Sequence, residues 1–538
     1  MQITYSRRQL LFMVIGSAAT AVPLVFPALG FLQWIAMIPL FIGLYRLGES
    51  AVAGLWRMYR YGFLTVFAYY FVIYHWFVNL YPLDFAGLDH TASVVVVLAG
   101  WLGLSLLQAI PGGLMFLLYG LLCRTGIFKR VPLLRPFAFA ALWIVFEWSS
   151  TLGWTGVPWG RLCLGQIQYL PMLQSASLFG SYFISLLILL VNGLLAYAVL
   201  YQMRATVCGV TAAALVSANL CFGLIRFHLP EEDLENTVRV AVVQGNISSH
   251  DKWDENGTQK TMDVHAELTR QAATEGAEIV LWAETVFPFV FNYRTDLQEF
   301  ASELARECNV TLILGAIYAD SDEKEYNALY EITPSGEIST EVYAKRHLVP
   351  FGEYVPMRGV FEALIPPLAE LSALDDDLTP GTETALIDVN GMRLGALICF
   401  DSIYEELNRS SVMDGAELML LSTNDSWFRD SAALRMHCAQ AQLRAIEGNR
   451  FVLRAANTGI SAIISNKGVT EIKLAPLTEG IAVRDVAVKS QTSLYMWIGN
   501  CVVYLCIAFY AVLLLAGVLT RKAKPSPVKM ASHYGRGF

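Results

Sequence analysis

The sequence predicts an α-helical polytopic membrane bundle of about eight spans that carries an α/β layered, extracytoplasmic domain. Three observations predict it. The 538 residues are 55% hydrophobic and 16% charged, with a mean hydropathy of +0.47, which is too apolar for an ordinary soluble chain. The long apolar runs fill roughly residues 1–228, stop, and return once after residue 492. Lys and Arg gather in alternate loops of the apolar region, as the positive-inside rule describes. A net charge of −8 argues against nucleic acid as a partner.

A spanning helix needs about 20 apolar residues. Spans therefore fall at 9–25, 28–46, 60–79, 92–122, 134–150, 176–200, 205–226 and 493–519. The fourth is overlong and holds Pro111-Gly112-Gly113, which predicts a kink or a tilt. Ser6-Arg7-Arg8-Gln9-Leu10-Leu11-Phe12 also fits a twin-arginine export signal, a reading weakened by the further spans that follow. With eight spans, Arg7, Arg8, Arg46, Arg57, Arg60, Arg124, Lys129, Arg130, Arg135, Arg204, Arg521, Lys522 and Lys524 share one side. Loops 80–91 and 151–175 hold only Arg161. Both termini are then cytoplasmic and residues 227–492 lie outside. The chain divides into a membrane domain of seven helices at 1–228, an α/β domain at 229–492, an eighth transmembrane helix at 493–520 and a basic cytoplasmic tail at 521–538.

His228-Leu229-Pro230-Glu231-Glu232-Asp233 reads as a linker. Beyond it, apolar runs at 238–244, 279–282, 311–317, 326–332, 385–389, 394–398, 417–422, 451–455 and 461–465 read as strands. Stretches 257–275, 294–307, 402–413 and 431–447 read as helices between them. That alternation is the signature of an α/β layered domain.

The run Arg393 to Asp401 delivers Cys399 to a strand-to-helix turn. A thiol there is usually a small buried hydrophobe, and it becomes a nucleophile only with a proton acceptor and a charge stabiliser nearby. Glu284 and Lys345, each close behind an apolar run, are the candidates. Together the three side chains can perform acyl transfer: the carboxylate takes and returns a proton, and the ammonium stabilises an oxyanion beside the N–H that follows the nucleophile. His347 and His437 leave a Cys-His dyad as a competing reading, although His437 lies in a helical stretch whose neighbours suggest packing. No Gly-x-Ser-x-Gly elbow is present. The nine cysteines form no Cys-x-x-Cys pair and no zinc-like Cys/His cluster, which predicts no structural metal; no cofactor is called for.

Trp282-Ala283-Glu284-Thr285, Lys345 to Glu353 and Leu397-Ile398-Cys399-Phe400-Asp401 resemble the Glu-Lys-Cys motifs of the nitrilase superfamily. His347 to Pro356, Val243-Gln244-Gly245-Asn246, Lys252-Trp253-Asp254 and Asn424-Asp425-Ser426-Trp427-Phe428 resemble, more narrowly, the apolipoprotein N-acyltransferase family of bacterial envelopes. The resemblance implies a nitrilase-like (carbon-nitrogen hydrolase) αββα sandwich at 229–492, held on the periplasmic side of a bacterial inner membrane. It implies an enzyme that takes a fatty acyl chain from a phospholipid onto its cysteine as a thioester. The chain then passes to the α-amine of the diacylglyceryl-cysteine that begins an apolipoprotein. Its partners are a phospholipid donor, that acceptor and the bilayer, with the enzyme a monomer. Glu284 takes the role of general base, Lys345 of oxyanion stabiliser and Cys399 of nucleophile. Glu353 supports them or is a turn carboxylate, Phe400 lends its N–H, and Asp401 stands where some members carry Glu.

Several residues keep two readings. Trp253 and Trp427 line a lipid entry or pack in a core or rim. Asn424 and Asp425 serve the site or simply turn the chain. Trp159, in Pro158-Trp159-Gly160, sits under the site or belongs to an aromatic belt. Glu147 near the outer end of the fifth span either serves the site or snorkels to water, the latter favoured. The apolar insertion 357–374 is a lid facing the bilayer or a packed helix pair. A membrane-tethered amidase needs the same three residues but not seven preceding spans, and a transporter needs polar residues along spans that are poor in them.

Overall fold

The computed structural model describes residues 2–50, 54–83, 88–230, 236–248, 252, 257–364 and 377–522. Trp253 and residues 365–374 of the insertion lie outside them.

Among the described residues, seven stretches are long and apolar enough to cross a membrane: Arg7–Val25, Pro27–Glu49, Leu55–Leu80, His90–Thr125, Ser181–Leu200, Ala205–His228 and Cys501–Thr520. The main helices among them are α1 (Gln2–Val25), α2 (Ile38–Glu49), α3 (Leu55–Ile73), α4 (His90–Thr125), α6 (Ser181–Leu200), α7 (Ala205–His228) and α12 (Cys501–Lys522). The expected fifth span is α5 (Leu134–Ser149), only 16 residues and buried along most of its length. It runs inside the bundle, where its apolar residues meet protein neighbours.

Helix α4 runs unbroken through Pro111 for 36 residues, about 54 Å at 1.5 Å per residue. Its start is capped by Asp89, whose carboxylate accepts from Ala92 N at 2.7 Å, and its end by Gly126 at φ +81°. Gly112 earns its place by contact: a Cβ there would lie 2.5 Å from Val66 on α3, so the two backbones approach closely, as small residues permit between membrane helices. Leu98, Leu102, Leu106 and Ile110 on α4 stay exposed, as do Val207 and Val210 on α7 and Leu505, Val512 and Leu515 on α12. Such a rim is stable only against lipid.

Among the described residues the α/β domain holds two sheets. One orders β13 (Gly480–Ala487), β1 (Thr237–Gln244), β2 (Ile279–Leu281), β4 (Thr311–Ala319), β5 (Glu325–Ile332) and β6 (Tyr343–Ala344), with β3 (Phe287–Val290) also on β4. The other orders β12 (Thr470–Lys473), β11 (Ala462–Ile464), β10 (Val452–Ala456), β9 (Leu418–Thr423), β8 (Met392–Ile398) and β7 (Ile387–Val389). Alternation along the strands decides the layers. Val240, Val242, Leu281 and Ile313 meet Leu394, Ala396, Leu420 and Leu453 between the sheets. Ala241, Val243, Val280 and Leu312 face outward onto α8 (Gly257–Thr274) and α9 (Thr295–Cys308). Leu397, Met419, Leu421 and Val452 face the other way, onto α10 (Glu405–Met413) and α11 (Ala432–Gly448).

That last layer shares one apolar core with the membrane helices. Helix α11 is buried nearly all round, as a helix held between a sheet and a bundle must be. Polar links add to this, among them Tyr404 Oη donating to Gly156 O at 2.7 Å, Arg429 to Tyr81 O at 2.7 Å, and Arg161 to Glu405 at 2.6 Å.

Candidate active site

Cys399 directly follows β8 and lies at φ +49°, in the left-handed region. Thr285, directly after Glu284, lies at +47°, and Asp425, after β9, at +59°. Each such residue stores about 1–3 kcal/mol, and their gathering at adjacent strand ends marks a site over-determined by its surroundings. The turn after β2 is tight for a local reason. A Cβ on Gly315 of β4 would lie 2.8 Å from Glu284 Cα, so only glycine admits that backbone.

Glu284 and Lys345 come together as expected: Lys345 Nζ lies 2.9 Å from Glu284 Oε1 and 2.9 Å from Glu353 Oε1. Both members of the first pair are buried, Lys345 at 1% and Glu284 at 5% exposed. Asn327 of β5, which no local signal singled out, donates Nδ2 to Glu284 Oε1 at 2.8 Å and to Glu353 Oε1 at 2.9 Å. Glu284 Oε2 accepts from Asn424 N at 2.9 Å, and Glu353 Oε2 from Val349 N at 2.8 Å. Glu353 is therefore tied into the ionic array. Asn424 enters through its backbone, while its Oδ1 accepts from Asn457.

Burial pulls Lys345 down, but the Glu284 and Glu353 carboxylates outweigh it and hold the ammonium well above its ordinary range. Burial pushes the Cys399 thiol well up, Glu284 adds to that, and Lys345 opposes it. The resting sulfur is thus protonated, beside a carboxylate able to accept the proton and a cation able to face a new oxyanion. Lys252 is a further buried cation, its Nζ donating to Thr285 O at 2.9 Å; burial lowers it to about 8, against the pull of Glu284.

Asp401 holds two segments rather than facing solvent. Its Oδ1 accepts from His347 N at 2.8 Å, and its Oδ2 from Ile398 N at 3.1 Å and Tyr343 Oη at 2.8 Å. The Cys399 turn is thereby pinned to the strand and loop that carry Lys345. Burial raises Asp401 to about 6, with Lys345 and the hydrogen bonds opposing. Phe400 packs its ring edge-on to Tyr404 at 5.5 Å.

On the far side of Cys399, His437 of α11 lies 3.2 Å from Cys399 O and pairs with Asp425 at 2.8 Å. Asp425 also pairs with Arg454 at 2.7 Å. The expectation that His437 merely packs is corrected: it faces the Cys399 turn, because α11 is the helix between that turn and the bundle. Trp159 is buried, stacks over His437 at 6.3 Å and meets Trp76 at 5.0 Å, so it lies under the site rather than in a belt. Trp427 is 37% exposed on the turn after β9. Glu147 does not snorkel. It is 2% exposed, and its Oε1 accepts from Trp143 Nε1 and Leu162 N, which fastens α5 to the loop below the domain.

Cys399 Sγ, a carboxylate oxygen of Asp425 and a ring nitrogen of His437 lie within 4.8 Å of one another. The donor types could hold a metal, but both Asp425 oxygens are already bound, Oδ1 by His437 and Thr423 and Oδ2 by Arg454. A guanidinium against the carboxylate disfavours a second cation there.

Comparison with known proteins follows this geometry. A family model described as carbon-nitrogen hydrolase matches residues 239–494, and one described as apolipoprotein N-acyltransferase N-terminal domain matches 17–194. The apolipoprotein N-acyltransferase of Geobacter metallireducens is 30% identical over 519 residues, 94% of each chain. That of Gloeobacter violaceus is 31% identical over 444 residues, 82% of this chain and 81% of its own. Among solved structures, an amidase of Nesterenkonia AN1 from the nitrilase superfamily aligns at 17% identity and a TM-score of 0.38, over 52% of this chain and 98% of its own.

Proposed function

We propose, from the premise that the chain belongs to the apolipoprotein N-acyltransferase family, that it moves a fatty acyl chain from a membrane phospholipid through Cys399 to the α-amine of an apolipoprotein's N-terminal diacylglyceryl-cysteine. The observation that carries this reading is the buried Glu284–Lys345–Glu353 array beside a protonated thiol, in a domain that shares its core with a membrane bundle.

In the first half-reaction Cys399 Sγ attacks the ester carbonyl of the phospholipid while its proton passes to Glu284. The oxyanion meets the Lys345 ammonium and the Phe400 N–H. Collapse breaks the ester C–O bond, and Glu284 returns the proton to the departing lysophospholipid alkoxide. In the second half-reaction the amine attacks the thioester, loses its proton to Glu284 and expels the thiolate, which takes that proton back. Glu353 and Asn327 hold the pair in place. Trp159, with Trp76 and Phe428 around it, forms an aromatic floor between the site and the bundle, suited to acyl chains. Trp253 and Trp427 would meet substrate at the mouth, and Glu147 would fix the loop beneath.

The domain works on the periplasmic side of the bacterial inner membrane, with both termini cytoplasmic. Loops 80–91 and 151–175, poor in basic residues, are the ones that touch it. Arg161, the exception in those loops, is paired with Glu405 and so offers no free charge to set orientation. The enzyme acts as a monomer.

The test is intact-mass measurement of the purified full chain incubated with phospholipid and no acceptor. An acyl adduct that hydroxylamine removes, and that is absent from Cys399→Ala, is expected. Free fatty acid release without an adduct overturns the reading.

A further inference from the structure

The bundle ends away from the α/β domain in a basic face that its own acids do not balance. The segments 1–8, 46–57, 123–135 and 200–205 hold a single carboxylate between them, Glu49. That carboxylate is taken, because its Oε1 accepts from Arg135 at 2.5 Å and from Tyr201 Oη at 2.5 Å. Arg8 of α1 and Arg46 of α2 line one cavity of about 120 Å³ here, with Gln9, Phe12, Ile42 and Gly43. A Cβ on Gly43 would lie 2.9 Å from Gln9 O, so glycine lets the two helices approach at the cavity wall. Neither guanidinium has a carboxylate partner among the described residues. Two like charges on one cavity repel unless an anion lies between them. Arg8, Leu11, Phe12 and Ile15 fall at i, i+3, i+4 and i+7, one face of α1, and the three apolar members stay exposed. From Arg8 to Val25, where α1 ends, is about 26 Å at 1.5 Å per residue, close to the roughly 30 Å of a bilayer's hydrocarbon. Just past Val25, Gly30 O accepts at 2.8 Å from Gln166 of loop 151–175, which meets the domain. The cavity therefore lies at headgroup depth in the opposite leaflet.

We propose that Arg8 and Arg46 form a headgroup site for an anionic phospholipid in the leaflet away from the α/β domain. The phosphodiester lies between the two guanidiniums, whose planar forks suit its oxygens, and the acyl chains run along Leu11, Phe12 and Ile15. A lipid matches this site better than a free anion, because the cavity wall includes Phe12 and Ile42 and continues into that exposed apolar stripe. A basic pocket between spans is also where membrane electrostatics gather anionic headgroups. A zwitterionic headgroup matches less well, since its own cation would face two arginines with the one nearby carboxylate already occupied. The lipid held here is resident and undergoes no bond change: Cys399 belongs to the α/β domain, at the other end of the bundle.

The experiment uses the full-length protein in detergent micelles doped with equal amounts of dioleoyl phosphatidylglycerol and dioleoyl phosphatidylcholine, with bound lipid counted by native mass spectrometry. The wild type is expected to retain phosphatidylglycerol in preference, as a lipid that leaves on denaturation, which separates it from a thioester at Cys399. Arg8→Gln with Arg46→Gln removes both charges. It should cut phosphatidylglycerol retention at least about tenfold, each basic group at a membrane surface contributing about a fivefold factor, and leave phosphatidylcholine unmoved. Arg57→Gln with Arg60→Gln takes the same charge from the same face outside the cavity, and should change retention less than about twofold. Undiminished retention in R8Q/R46Q overturns the proposal. An equal loss in R57Q/R60Q overturns it too, since the attraction would then be diffuse. Displacement of the lipid by inorganic phosphate would make this a free-anion site and overturns the lipid assignment. Should R8Q/R46Q fail to fold, R8Q alone, at an exposed position, is expected to lose about fivefold, and wild-type retention there overturns the proposal.

Discussion

Arg161→Met is the sharpest test of how the catalytic domain is joined to the membrane. The Arg161 guanidinium is 1% exposed, lies 2.6 Å from Glu405 Oε2, donates to Ser181 Oγ at 2.9 Å and to Tyr182 Oη at 3.1 Å, and covers the Tyr182 ring at 4.6 Å. Glu405 also accepts from Tyr182 Oη at 2.8 Å. Burial would raise the Glu405 carboxyl, but Arg161 and Arg444 outweigh it and hold it at about 2. Set against an ordinary 4.5, that depression corresponds to about 3 kcal/mol at 1.36 kcal/mol per unit. Leaving a buried charge without its partner costs about 3–5 kcal/mol, and with Arg444 still nearby the lower end applies. R161M should therefore lose about 3 kcal/mol at neutral pH. The sign with pH follows from the depressed value: in the wild type this contribution is complete above about 4.5 and fades as pH falls toward 2. Replacing both partners by apolar groups is close to neutral, so R161M with Glu405→Leu should recover to within about 1 kcal/mol of wild type. Urea unfolding followed by tryptophan fluorescence in detergent reads both. Wild-type stability in R161M, or no recovery in the double variant, refutes the weld.

Two further outcomes follow from the site. Asp401→Asn turns one of its acceptor oxygens into a donor facing a donor, at a cost of about 1.5–3 kcal/mol. Adduct formation by intact mass should fall about tenfold to a hundredfold, and an unchanged rate would mean the pinned turn is irrelevant to chemistry. Asn327→Leu keeps the volume and removes one donor from each of Glu284 and Glu353, so the adduct rate should fall at least about tenfold while the urea midpoint moves little; an unaltered rate would leave Asn327 a packing residue.

Glu284, Lys345 and Cys399 were legible as candidates because each follows closely on an apolar run, and a strand end is a local pattern. Asp401 was legible as a carboxylate but not as a pin, since its partners His347 and Tyr343 lie 54 and 58 residues away. Strand β13 escaped notice for a related reason. Gly480-Ile481-Ala482-Val483-Arg484-Asp485-Val486-Ala487 carries charges at its centre, and it is a strand because Arg239, Val240 and Ala241 of β1 lie antiparallel to Asp485, Arg484 and Val483.

By itself the sequence determined what depends on composition and short period. Apolar length marked the spans, alternation of short runs marked an α/β layered domain, and basic loops suggested an orientation. Hydropathy could not tell the 16-residue core helix α5 from a lipid-facing span, because both are apolar and only neighbours differ. Tertiary structure alone decided the rest. Asn327 reaches Glu284 across 43 residues, His437 reaches Cys399 O across 38, and Arg161 reaches Glu405 across 244. Such contacts exist because burial removes water as an alternative partner, so each buried polar group must find another wherever the fold brings it.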